Sequence, residues 1–384
     1  MVIVGREGGE VGKEMESQRE QQRERLRRLY DSHLQNIGDT FQMVNQAPDP
    51  SFSDRVGWEE VVKMGDRVSR QASFVGMLWV ERIPEAKEIE ASMTWFFQEL
   101  QAFLLAFHGT MVGAGPTLLS TMQESVKRVV ESSFKLMKES VQYCGRSDGK
   151  AKEHLVFVGT VWEACSALKK TPATNITAIG RALSQIAVTM KDVLREMKEL
   201  KPACFDQANE ASDGNSTRHE AEVHNEDADE SEGDIGNDLS PEEMAVAKAA
   251  IDVVSETLLV IKELIRSITG LIKTESSTRD WEFVMSLEKL LKLCQEIRLQ
   301  INELVACLYP PQEVPAILVA SGKMSSATHD LEEELGRIEG TSTAFLKHCG
   351  HLRSKLKHLE YEVSCSRVEQ QMQNVSLSSP QSGH

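Results

Sequence analysis

Cys165 stands three residues after Trp162 in the stretch TVWEACSALKKTPATNITAIGRAL (160–183), just ahead of a Thr-Pro break. A lone thiol there could be a nucleophile, a metal ligand or a piece of packing. A nucleophile needs partial exposure and a base or a helix N-terminus to lower its pKa. The apolar positions Leu155, Val158, Trp162 and Cys165 recur at helical spacing, with the cysteine near the C-terminal end, where the helix dipole opposes a thiolate. The expectation is therefore core packing for both Trp162 and Cys165.

Four further stretches carry residue types that could do chemistry. His348, Cys349, His351 and His358 gather near the C-terminus, and His348 and His351 share a helical face at i, i+3. Zinc would want a fourth donor, Cys349 belongs to an apolar seam, and Lys347, Arg353, Lys355 and Lys357 surround the histidines, so the expectation is a solvated basic face and no metal. The glycines of VIVGREGGEVGKE miss phosphate-loop spacing, and Lys13 is followed by Glu14 rather than Ser or Thr. Gly113-Ala114-Gly115 lacks a preceding strand and a third glycine, and reads as a turn. Ser231, within DESEGD, suits an acidophilic kinase, and Ser240-Pro241 suits a proline-directed one. No motif assembles a catalytic constellation or a cofactor site, so the chain reads as non-enzymatic.

The elements that must position these residues are helices. Apolar residues alternate in steps of three and four at Ile176, Ile179, Leu183, Ile186, Met190, Val193, Met197 and Leu200, and the same rhythm recurs along 251–272, 284–308 and 345–363. Period-two alternation is never sustained, and aromatic residues make up only 5%. The expected helices are 16–46, 58–81, 84–107, 116–143, 150–169, 174–201, 241–274, 280–308, 315–339 and 341–368. Their length suits extended antiparallel bundles.

The formal charge of −16 is concentrated: between Asp206 and Glu243 fourteen Asp or Glu face Arg218 alone. That stretch holds few large apolar residues and cannot offset the entropy of ordering itself. It reads as a disordered acidic linker, 202–240, between an N-terminal bundle, 16–201, and a C-terminal bundle, 241–368, with disordered tails at 1–15 and 369–384. The linker ends at Ser240, Pro241 and Glu243, which form a capping box with proline at the first helical position. The remaining charge is too balanced for a broad nucleic-acid face. No apolar run is long enough to span a bilayer, and the seven scattered cysteines, with no C-x-x-C pair, suit reduced thiols in the cytoplasm or nucleus. In that setting the sequons at Asn175, Asn215 and Asn374 are chance matches.

TVWEAC (160–165), the helix start AIGRAL (178–183), the acidic spacer, and LYPP (308–311) closing a long amphipathic helix together resemble the cyclin-D-binding protein family, also called the cyclin-D-interacting protein GCIP. The likeness runs from about Trp58 to Val363. It implies two all-helical, vinculin- or talin-like bundles in cytoplasm and nucleus, a D-type cyclin as partner, and sequestration of basic helix-loop-helix transcription factors without direct DNA contact. No basic stretch precedes a helix-loop-helix unit, in keeping with that last point. The family supplies no short motif from which individual binding residues could be carried over. The competing expectation is a vinculin-like cytoskeletal or adhesion scaffold.

Overall fold

The computed structural model describes residues 7–44, 56–144, 151–200, 239–272, 281–338 and 342–377. Among them the regular structure is helical: α1 (Glu7–Val44), α2 (Trp58–Glu81), α3 (Ala86–Thr110), α4 (Pro116–Tyr143), α5 (Ala151–Ala167) with a short 3-10 extension at Leu168–Lys170, α6 (Asn175–Met197), α7 (Pro241–Ile272), α8 (Trp281–Ala306), α9 (Val314–Ile338) and α10 (Thr343–Leu377). The all-α expectation and the division into two helical halves are met. Most of the acidic linker, Ser231 included, lies outside the described residues.

The chain divides into two compact units, Met1–Ala178 and Ile179–His384. The division falls within the first turn of α6, so most of that helix groups with the second unit, whereas the sequence assigned it to the first. Periodicity shows that a helix has an apolar stripe, but not which core the stripe joins. Two other boundaries differ. α1 begins at Glu7, inside the expected tail, and α10 continues to Leu377. Glu, Gln, Lys and Arg are good helix formers, and the Glu20–Arg23 and Glu24–Arg28 pairs support α1.

In the first unit, α1 packs on α3, α3 on α2, α2 on α5, α5 on α4, and α4 back on α1. The five helices form a closed ring. Its interior is filled from α3 by Met93, Phe96, Leu100, Phe103 and Phe107, all fully buried. The ring is tied locally as well: the Trp58 indole donates to the carbonyl of Leu168 at 3.0 Å, and Gly113 turns the chain at φ +75°, a conformation that favours glycine.

The second unit contains another closed ring, in which α7 packs on α10, α10 on α9, α9 on α8, and α8 on α7. Short connections between successive helices make neighbours antiparallel. The expected seam of α10 (Phe345, Cys349, Leu352, Leu356, Leu359, Val363) is buried throughout, as is that of α8. On α7 the expected seam is met at Val254, Ile261 and Ile268, which are buried, while Ile251, Leu258 and Ile265 are only partly covered and Val253, Thr257, Val260 and Leu264 are buried in their stead.

The start of α7 matches its sequence. The Ser240 hydroxyl accepts from the Glu243 amide at 3.1 Å and the Ser240 amide donates to the Glu243 carboxylate at 3.0 Å, with Leu239 buried beside them. An alanine at position 240 loses the acceptor, whereas glycine keeps much of the cap's favourable backbone geometry. In urea melts of the full chain, Ser240→Ala should cost about 1 kcal/mol and Ser240→Gly only about a few tenths. Equal losses would contradict the capping role.

Candidate functional site

Cys165 lies in the α5 stripe that faces the interior, 2% exposed. Burial pushes its thiol up to about 12, with a smaller contribution from Asp66, and Lys169 opposes the shift only in part. The thiolate a nucleophile requires is thereby suppressed. Trp162 corrects the sequence reading, because its side chain stands 47% exposed rather than in the core. The buried face of α5 is centred on His154, Val158, Val161, Cys165 and Leu168, and at 100° per residue Trp162 and Leu155 fall about a quarter turn away. Trp162 lies instead along the α2–α5 seam, where its indole donates to the Ser73 hydroxyl at 3.0 Å.

Exposed apolar side chains accompany this seam, alongside charged ones such as the Lys169–Asp66 pair at 3.0 Å. Phe74, Met77 and Val80 on α2 and Leu155, Val156 and Trp162 on α5 are all exposed, on two helices packed directly against each other. Close approach of the two helices follows from Gly76, where an added Cβ would stand 2.9 Å from Val158. Exposed apolar side chains on neighbouring helices offer area that a partner can cover. What these side chains offer a partner is burial of aromatic and aliphatic groups, the indole N–H being held by Ser73.

One buried pair has the composition of a catalytic dyad. Ser140 Oγ and His154 Nε2 are 2.7 Å apart. Yet the serine donates to the Leu136 carbonyl at 2.9 Å, both residues are sealed in the interior, and the imidazole stacks on Trp79 with ring centroids 4.7 Å apart. Burial lowers the His154 pKa to about 4. The pair is a packing device with a pH signature.

The histidines of α10 occupy a different setting from the solvated basic face expected of them. His348 Nδ1 is 2.6 Å from Glu256 Oε1 on α7, and His351 Nδ1 is 3.6 Å from the same oxygen. Lys355 pairs with Asp252 of α7 at 2.7 Å and Arg353 with Glu332 of α9 at 2.6 Å, while His358 approaches Glu362 of its own helix. Flanking an apolar seam, these residues meet whatever charges the neighbouring helices present. Glu256 was not legible in the sequence, since nothing local links it to histidines about ninety residues later. The glycine-rich stretch begins α1 from Glu7 onward, and the Gly115 amide donates to Asn175 Oδ1 at 2.7 Å, so the turn at 113–115 is satisfied internally. Ser240 is engaged as the α7 cap.

The fold defines an all-helical protein of two compact units. Residues 60–203 match the family model for the N-terminal region of Grap2 and cyclin-D-interacting proteins, and residues 224–333 match the model for the C-terminal region. The chain belongs to this family. It is 23% identical to the Cyclin-D1-binding protein 1 homolog of Xenopus laevis over 278 residues, covering 72% of this chain and 78% of that protein. It is 20% identical to the human Cyclin-D1-binding protein 1 over 279 residues, 72% of this chain and 74% of that protein. The match to the Macaca fascicularis protein of that name is 21% over 278 residues, 72% and 80% of the two chains.

The neutral, buried imidazole has a consequence for stability. The unfolded chain takes up a proton at His154 near the ordinary histidine pKa of 6.5, whereas the folded chain resists until about 4. Stability contributed by the neutral ring is therefore complete above 6.5 and declines as pH falls towards 4, by up to about 3 kcal/mol. Urea melts at pH 7 and 4.5 should show this loss reduced by about half or more in His154→Leu. An unchanged difference between the two pH values would contradict the assignment.

Proposed function

We propose that the protein is a non-catalytic regulator that binds a D-type cyclin through the exposed α2–α5 face of its first helical unit. The observation that carries the reading is that exposed apolar side chains of α2 and α5, Trp162 among them, fall within the segment matched by the N-terminal family model. The names of the relatives, cyclin-D1-binding proteins, supply the class of partner. Tryptophan is enriched among residues that dominate binding energies, and the exposed Trp162 ring is a large, rigid apolar body held in place by its bond to Ser73. Sequestration of basic helix-loop-helix factors, and residence in cytoplasm and nucleus, accompany this proposal as its cell-biological setting. Ser231, flanked by acidic residues, is proposed as a site where an acidophilic kinase could tune the interaction. Among the described residues no helix is long and apolar enough to cross a membrane.

The test is a titration of full-length protein against purified D-type cyclin at low and physiological salt. Saturable binding is expected, weakened at least about tenfold by Trp162→Ala and by Met77→Asp, with little salt dependence because the contact is mainly apolar. Circular dichroism should show both variants folded. Binding that ignores both substitutions, or that disappears on raising salt, would place recognition elsewhere. Binding to a basic helix-loop-helix domain but not to the cyclin would overturn the choice of partner.

A further inference from the structure

Two imidazoles and a carboxylate converge on the seam between α7 and α10. His348 and His351 lie three residues apart on α10, so both rings project from one face. Glu256 reaches them from α7, with its Oε1 2.6 Å from His348 Nδ1 and 3.6 Å from His351 Nδ1. One ligand atom from each residue lies within 4.8 Å of the other two. The imidazoles stand nearly perpendicular, at 84° with centroids 6.0 Å apart, and can therefore aim separate nitrogens at a common point.

These spacings suit a small divalent ion. Donors around a tetrahedral zinc with bonds of about 2.0–2.1 Å stand about 3.3–3.5 Å apart. The His351–Glu256 separation is already close to that value, and the hydrogen-bonded His348–Glu256 pair needs to open by less than about 1 Å. Two nitrogens and one carboxylate favour a transition metal over calcium or magnesium, which prefer oxygen ligands throughout. Exposure rises across the cluster, from 13% for the Glu256 side chain through 24% for His348 to 54% for His351. The outer side thus provides an entry path and room for a water ligand.

The scaffold holds the donors before any ion arrives. Val253, Val260 and Ile261 on α7 and Phe345, Cys349 and Leu352 on α10 are buried on either side of the cluster, in two helices packed directly together. The nearby cation Lys355 is paired with Asp252 at 2.7 Å, which offsets its repulsion of a metal.

We propose that Glu256, His348 and His351 form a divalent transition-metal site, best suited to zinc, with water as the fourth ligand. The bound ion ties α7 to α10 across the second helical ring. Binding the folded chain more tightly than the unfolded one, it stabilises the unit by mass action.

The test uses full-length protein held reduced by a non-chelating phosphine. Calorimetric titration with Zn²⁺ should show one saturable site, and Zn²⁺ should raise the melting temperature. Co²⁺ should give visible d–d absorption without the near-ultraviolet band of a thiolate ligand. His351→Ala, at a half-exposed position, and Glu256→Gln should each weaken zinc binding by at least about tenfold while leaving the metal-free circular dichroism unchanged. The Co²⁺ spectrum of the unsubstituted protein keeps the test decisive should either variant fold poorly. No saturable binding up to millimolar zinc would overturn the proposal. So would a cobalt–thiolate band, or undiminished affinity in folded variants, either of which assigns the ion to cysteines or to the acidic stretch 206–243.

Discussion

Each helix of the two rings buries an apolar stripe, and a stripe can be hidden only against other stripes. That constraint governs the rest of the structure. A pair of helices leaves part of each stripe wet, whereas a closed ring turns all of them inward, which is the arrangement of α1–α5 and again of α7–α10. Burying an aliphatic or aromatic core side chain contributes about 1.5–3 kcal/mol. The inner face of α3, with Phe96, Phe103 and Phe107 fully buried, is therefore a principal source of the first unit's stability. Local devices such as the Ser240–Glu243 box and the Trp58–Leu168 hydrogen bond fix where helices start and how they meet. Each contributes less than the core does.

Ring closure also determines which residues remain outside. On α5, Val158, Val161 and Cys165 point inward, so Trp162 and Leu155 emerge at the seam with α2. The chemically suggestive thiol is thereby silenced, and the residue expected to pack beside it becomes part of the surface. The second ring has a counterpart: the apolar seam of α10 brings its flanking histidines against Glu256. In both units, functional potential lies at the margins of stripes, where packing fixes the backbone but leaves side chains within reach of solvent.

The helices, their approximate lengths and most seam residues were legible because periodicity is local; the α10 stripe was correct at every position. The centre of a stripe was less legible. On α5 the three-four rhythm runs through Leu155, Val158, Trp162 and Cys165, yet only the second and fourth are buried, because two adjacent apolar stripes produce one pattern. On α7 the same ambiguity shifted the expected face towards Ile251 and Leu258. Long-range pairings were not legible at all. The approaches of His348 to Glu256 and Trp162 to Ser73 depend on ring order, which the spacing of apolar residues within one helix does not encode.

The central claim is that recognition uses the outside of a helix pair whose inside is fixed by packing. Hydrogen–deuterium exchange of the full-length protein, alone and saturated with a D-type cyclin, tests it most directly. The account predicts slower exchange on binding in peptides spanning 70–81 of α2 and 154–167 of α5, with the buried core of α3 equally protected in both states. Protection confined to α7–α10 or to the acidic stretch 206–243, with α2 and α5 unchanged, would contradict it.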